Sequence, residues 1–381
     1  MTVRPQTGRP ETVSTETARP ETRNSDAVRR SGPVRIAYVV PVQGIAGIFG
    51  PSCEACGELA LAELHSADGI LGRPVELVVV DGGRAPTQVA QEVAQLWRAG
   101  RIDAIAGWHI SAVRKEILRL VGGQLPYVYA ALHEGEFRTP GLFMIGESPS
   151  SQVLPALDWL RRNRGAERWC VVGNDYIWPR QLASHAVAHL AGTRMTHCGS
   201  TFLPLGTRDF EPTLRWLETT ACDAVLVLLI GDDAVRFGRV FARRGLDTTM
   251  MRFSPILEEN QVLGMGAAAT ANMYAAAGYF DSLVTAATVD FAGRYHRVLG
   301  DTAPVLNSIG QSCYEAITLL AALADRAGSL AVSPIQAAAD GLVMDATRGT
   351  LRLTDNRVDQ DIYLASAGAL DLDVVDRIHH V

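Results

Sequence analysis

The chain has 381 residues, 48 % hydrophobic and 20 % charged, with a formal net charge of −6; that length exceeds one ordinary core and suits two domains. Its basic residues are scattered and Lys115 is the only lysine, which argues against direct nucleic-acid binding, where basic residues cluster. The longest apolar run, Ala224–Ile230, is far short of the roughly 20 residues of a membrane-spanning helix, so no membrane insertion is expected.

Residues Met1 to Gly32 are rich in Thr, Pro, Glu and Arg and carry an imperfect repeat (RPQT, RPET, RPET). Such a segment buries too little apolar surface to fold, and residues 1–33 are predicted to be a disordered tail dispensable for ligand binding. The tail lacks the apolar stretch of roughly 7–15 residues that a secretory signal needs, so a cytosolic protein is expected. From there strands and helices alternate. Arg35–Val40 is a predicted strand, and Cys53–Leu64 a helix with Ser52 as its cap after Pro51. Val75–Asp81 (strand), Thr87–Trp97 (helix), Ala104–Gly107 (strand), Ala112–Val121 (helix) and Pro126–Ala130 (strand) follow.

The pattern then restarts: strand Trp169–Gly173, helix Pro179–Leu190, strand Met195–Phe202, helix Phe210–Leu217, strand Ala224–Ile230 and helix Asp232–Arg243. Strand Met273–Ala277, helix Leu283–Leu299 and a helix-rich stretch Ser308–Ala327 come next, with short strands near Leu351 and at Ile362–Ala365. Such alternation means parallel sheets with crossover helices, and two series mean an α/β protein of two doubly wound lobes. Ligands of open parallel sheets sit at the carboxyl ends of the strands, so the loops there are the candidate site, in the cleft between lobes.

Five loops stand out. In Gly107-Trp108-His109-Ile110-Ser111, Ser111 opens a helix whose free N–H groups can receive a carboxylate or carbonyl oxygen, with Trp108 and His109 as flat walls; a plain cap beside a buried Trp is the alternative. Tyr129 ends a strand at the cleft, or belongs to the core. In Asn174–Arg180, Tyr176 and Trp178 are aromatics with polar tips at a strand-to-helix loop, which suits a small polar ligand. Asp232 and Asp233 read as helix N-terminal charges favoured by the macrodipole, or as partners for an ammonium group. Tyr279 follows the strand Met273–Ala277.

These loops, in this order, resemble the type I periplasmic-binding-protein family, in its branched-chain amino acid and urea branch. Gly72–Leu77 followed by Val80-Asp81 is similar to the family's second-strand signature. Ser111 with Arg114-Lys115, Glu134-Gly135, Asp175–Arg180, Tyr279-Phe280 and the tail Asp345–Gly349 resemble the amide-sensing negative regulators of amidase operons. The resemblance implies two lobes joined by three hinge crossings: 34–146 plus 276–344, and 147–275 plus 345–381. It also implies ligand contacts at Ser111, His109, Tyr129, Tyr176 and Trp178. The family has Tyr where His109 stands, and the regulators have a Pro-Thr-Pro-like turn where Ala130-Ala131-Leu132 stand, so the implied ligand differs from a simple aliphatic amide.

The function expected is a cytosolic sensor of a small amide, urea or amino-acid-like ligand that holds or releases a regulatory protein partner. The alternative is the substrate-binding protein of an ABC importer, partnered by a permease. A homo-oligomer fits either. No catalytic constellation, phosphate loop or nucleophile elbow supports an enzyme, and no cofactor or metal is expected. Cys53-Glu54-Ala55-Cys56 has a redox-like spacing but no thioredoxin pattern around it, and the six Cys read as core residues. His185 and His189 lie on one helix face without a third ligand.

Overall fold

The computed structural model describes Met1, residues 32–135 and residues 139–378; the tail expected to be disordered lies, apart from its ends, outside the described residues. The first lobe opens with β1 (Val34–Val40), α1 (Gly50–Ser66), β2 (Val75–Asp81), α2 (Pro86–Arg98), β3 (Ala104–Gly107), α3 (Ser111–Val121), β4 (Tyr127–Tyr129) and β5 (Leu142–Met144). The chain crosses to the second lobe for α4 (Leu154–Arg164), β6 (Arg168–Asn174), α5 (Ile177–Ala191), β7 (Thr196–Leu203), α6 (Glu211–Thr219), β8 (Ala224–Leu228), α7 (Gly231–Arg243), β9 (Met251–Ser254), α8 (Glu259–Met265) and β10 (Met273–Ala277). It returns for α9 (Ala286–Leu299), α10 (Ser308–Ala327), α11 (Val332–Ala339), β11 (Val343–Ala346), β12 (Gly349–Thr354) and β13 (Arg357–Asp359), then crosses again to β14 (Ile362–Ala367) and β15 (Leu372–Ile378).

The first sheet has the order β11-β12-β13-β5-β4-β3-β1-β2 and the second β15-β14-β10-β9-β8-β6-β7. The β1 to β5 and β6 to β10 series pair in parallel, whereas β11–β12, β12–β13, β10–β14 and β14–β15 pair antiparallel. The lobes are therefore α/β with mixed, mostly parallel sheets, not purely parallel ones. Central strands are covered by helices on both faces and so read as continuous apolar runs: β8 is buried throughout, and β1 everywhere but Arg35.

Three sequence expectations shift. Strand β10 pairs with β9 and belongs to the second lobe, while β11–β13 extend the first; the crossings therefore fall after β5, after β10 and between β13 and β14, instead of at 275/276 and 344/345. Ser52 is not a cap, because α1 starts at Gly50 and Ser52 is buried inside it. Ser111 is likewise the first helical residue; Ile110 is the cap, and its carbonyl accepts from the Val113 N–H at 2.9 Å.

The crossings meet at one buried polar knot. Arg348, in the turn between β11 and β12, has a side chain only 1 % exposed and lies 2.7 Å from Glu315 and 3.5 Å from Glu147. Its Nη2 also donates to the Ile145 carbonyl at 3.2 Å. Glu147 accepts from the Gly278 N–H at 2.9 Å, and Gln360 donates to the Ile145 carbonyl at 3.4 Å. A Cβ at residue 278 would stand 2.9 Å from both Arg348 Nη1 and Gln360 Oε1, so a larger residue there would push these side-chain tips aside.

Candidate functional site

Between the lobes lies a cavity of about 470 Å³, the size of a small-molecule site. The first lobe lines it with Pro41 and Gly44–Ala46 after β1, Gly82–Pro86 after β2, and Trp108, His109, Ile110 and Ala112 after β3. The second lobe adds Tyr176, Leu205 and Ile230. An adjoining space of about 10 Å³ shares Trp108, His109, Ile110 and Tyr176 and adds Ser111, Tyr129, Ala131, Leu132, Trp178 and Ile256.

Six of the seven residues singled out from sequence thus meet around one space. Tyr279 does not. The carboxyl end of β10 is a hinge crossing instead of a cleft loop, and the Tyr279 ring packs edge-on against Phe291 of α9, 6.1 Å between centroids. Ile45, Gly82–Arg84, Leu205 and Ile256 were missed, although each follows a parallel strand, the same signal that found the others.

Local chemistry fixes the lobe-1 wall. The Tyr129 hydroxyl donates to the His109 carbonyl at 2.8 Å, and the Tyr127 hydroxyl lies 2.7 Å from His109 Nε2. Burial lowers the His109 pKa to about 3, so the ring is neutral; its Nδ1 lies 3.3 Å from the Ile110 carbonyl, which can only accept, and Nε2 is left to accept from the Tyr127 hydroxyl. Behind it, Arg114 and Glu134 form a buried pair at 2.5 Å, with the guanidinium 4.6 Å from the Tyr129 ring centre. Trp108 packs edge-on against Phe49, and its buried Nε1–H has no hydrogen-bond partner. The opening turn of α3 brings Ser111 and Ala112 to this space; the next two N–H groups, of Val113 and Arg114, donate to the Ile110 carbonyl, whereas those of Ser111 and Ala112 precede the helix's first acceptor.

On lobe 2, Tyr176 and Trp178 stack at 6.4 Å. Asp175 and Arg180 of the same run pair with each other at 2.6 Å on the surface. Asp233 is held by Asn174 Nδ2 at 2.8 Å and the Gly206 N–H at 2.9 Å, and neither it nor Asp232 lines the cavity. Elsewhere, Cys53 and Cys56 are buried in α1, and burial pushes both thiols above their usual range, away from the thiolate that redox chemistry uses. His189 lies 3.2 Å from Asp158.

The lobes touch across the cleft. The Asp232 N–H donates to the Ile45 carbonyl at 3.0 Å, and Asn260 Nδ2 donates to the Ile48 carbonyl at 2.6 Å. Gly231 makes this approach possible: its φ is +49°, and a Cβ would overlap the Ile45 carbonyl oxygen. Gly231→Ala is therefore expected to hold the lobes apart and weaken ligand binding about tenfold, the equivalent of roughly 1.4 kcal/mol. Titration calorimetry checks this, and an unchanged Kd would refute it.

Because His109 stays neutral down to about pH 3, ligand affinity is expected to show no histidine step between pH 8 and 6; a step near 6.5 would contradict this. The same depression affects stability. Unfolded His109 takes up its proton near pH 6.5, so its contribution is full above that value and is lost as pH falls toward 3. Relative to His109→Phe, wild type should lose stability in that window, which urea titrations at pH 7.5 and 5 would measure.

The profile of a family described as periplasmic binding protein matches residues 33–369. A solute-binding protein of an ABC transporter from Rhodopseudomonas palustris BisB5, in complex with 3,4-dihydroxybenzoic acid, superposes with a TM-score of 0.80 at 18 % identity, over 92 % of this chain and 98 % of that one. One from Rhodopseudomonas palustris HaA2, in complex with p-hydroxybenzoic acid, gives 0.81 at 16 % over 91 % and 97 %. The branched-chain amino acid transporter substrate-binding protein LivJ from Streptococcus pneumoniae, in complex with isoleucine, gives 0.78 at 17 % over 90 % and 99 %. At these identities the structures show the shared fold. The expected cytosolic placement is overturned, because the matching family is one of periplasmic binding proteins and these similar structures are binding proteins of transporters. With a match that runs through both lobes, the chain belongs to the periplasmic binding protein family.

Proposed function

We propose that the protein is the solute-binding component of an ABC importer, closing two lobes over one small organic molecule and presenting the closed form to a permease. The observation that carries this is the cavity lined from both lobes by the loops after parallel strands. A ligand that touches both walls binds the closed form better than the open one, and only that difference in affinity can drive closure. The residues do this by binding and shape; no nucleophile with an adjacent base stands among the described lining residues.

A regulator that holds a protein partner could use the same closure, and the amide-sensor likeness of Asp175–Arg180 pointed that way. The family match and the transporter binding proteins of the same fold favour import. Uptake by a strain lacking the gene tests the choice. Uptake of the bound solute should be lost, and restored by the wild-type gene but not by a Trp178→Ala copy. Unchanged uptake together with altered transcription of neighbouring genes would replace import by regulation.

A further inference from the structure

Helices α1 and α10 of lobe 1 meet more closely than ordinary side chains allow. A Cβ at Gly310 would stand 2.1 Å from Ser52 Oγ and 2.8 Å from the Ser52 carbonyl oxygen, so the first turn of α10 rests on the backbone of the first turn of α1. Cys53 is the next residue of α1, and Cys313 follows Gly310 on the same face of α10, one turn along. Their thiols are in hydrogen-bond contact, and Cys313 also reaches the Tyr38 hydroxyl of β1. Both are free thiols, and both are fully buried.

A buried cysteine by itself serves as a small apolar residue. Two in contact beside so close a backbone approach can do more. A disulfide needs Cα atoms within about 7 Å, and the Gly310–Ser52 approach brings the two backbones into that range. Disulfides persist in oxidising compartments, the periplasm among them, and the chain belongs to a family of periplasmic binding proteins. Cys170 and Cys222 of lobe 2 also touch, but Cys222 stands three residues before Val225, the register partner of Cys170, so the backbones there are offset.

We propose that Cys53 and Cys313 become joined by a disulfide as the chain folds, tying the first helix of lobe 1 to the helix that returns after lobe 2. Formation in the cell rests on the protein being an exported solute-binding component. The oxidant is the disulfide of a thiol oxidoreductase. One cysteine thiolate attacks it and forms a mixed disulfide; the other attacks that bond, and the oxidoreductase leaves as a dithiol. Two thiols are oxidised to one disulfide, one disulfide is reduced to two thiols, and the protons lost by the cysteines are taken up by the leaving thiolates. Burial disfavours the thiolate once the lobe is packed, so exchange precedes the seating of α10 and the closed bond is shielded from reductant. The tie falls on the two elements that lobe 2 closes against. The Ile48 carbonyl ahead of α1 accepts from Asn260 at 2.6 Å, and the Ser308 N–H that opens α10 donates to Glu258 at 2.9 Å.

The full chain, unfolded with its thiols reduced, is refolded in a glutathione redox buffer; free thiols are then alkylated in denaturant and mapped by peptide mass spectrometry. A Cys53–Cys313 bond is expected, with Cys56, Cys170, Cys198 and Cys222 alkylated. Alkylation of all the cysteines overturns the proposal, as does a bond at Cys53–Cys56 or Cys170–Cys222 in its place. Wild type refolded with oxidant should melt several degrees above wild type refolded with reductant. Cys56→Ala should keep that difference and Cys313→Ala abolish it, whatever either substitution does to the reduced protein. Equal melting of the two wild-type forms overturns the tie. Alkylation in intact cells of the native host judges the export reading separately: free Cys53 and Cys313 there, with the bond formed on refolding, would overturn the importer reading and leave the pairing standing.

Discussion

Replacing Arg348 by alanine is expected to destabilise the protein by about 3–5 kcal/mol, the usual cost of removing one member of a buried ion pair. Arg348 is buried between Glu147 and Glu315 and donates to the Ile145 carbonyl. Its loss leaves two carboxylates facing each other with less compensation, one of which also receives the Gly278 N–H. The melting temperature should fall by on the order of 10 °C. Because the knot joins segments at the crossings, ligand affinity should also fall in Arg348→Lys, which keeps a charge but not the planar fork. Urea titration of the alanine variant measures the first effect. A loss under about 1 kcal/mol would show that the knot does not hold the hinge.

The second large effect is expected at Trp178. Removing a buried aromatic anchor from a binding site commonly costs about 2 kcal/mol or more, close to 30-fold in Kd. Trp178 lies in the first turn of α5, stacks on Tyr176, and lines the space opposite Ser111 and Tyr129. Sequence alone placed Trp178 only as a wall for a small polar ligand. The structure revises that expectation: Trp178 is only 3 % exposed and packs with the hydrophobic core, so the alanine variant should melt earlier as well. The two effects separate when Kd is measured well below the melting temperature and Trp178→Phe is included, which retains much of the packing. A normal Kd in a destabilised variant would make Trp178 a core residue alone.

The strands that carry the site were legible because they are short, largely apolar runs closed by Pro, Gly, Asn or Asp. Arg35–Val40, Val75–Asp81, Trp169–Gly173 and Ala224–Ile230 each match an observed strand to within one or two residues. The rule that ligands sit at carboxyl ends then gathered Trp108, His109, Ser111, Tyr129, Tyr176 and Trp178. It failed at Tyr279, because periodicity identifies the strand Met273–Ala277 but not that its end is a crossing into the other lobe. The antiparallel strands β11–β13 were largely invisible, since Val343–Asp359 is polar and half exposed and its pairing depends on the edge offered by β5. The Arg348 knot joins residues as far apart as Ile145 and Arg348, a separation no local pattern reports.

The central claim is that one small solute is held between Trp178 on lobe 2 and the α3 turn on lobe 1. Thermal melts of wild type and Trp178→Ala against a panel of small carboxylates, amino acids and amides test it most directly. At least one solute should raise the wild-type melting temperature by several degrees and raise that of Trp178→Ala far less, because ligand stabilisation follows affinity. Equal shifts in both proteins, or no shift from any solute in the panel, would contradict the claim.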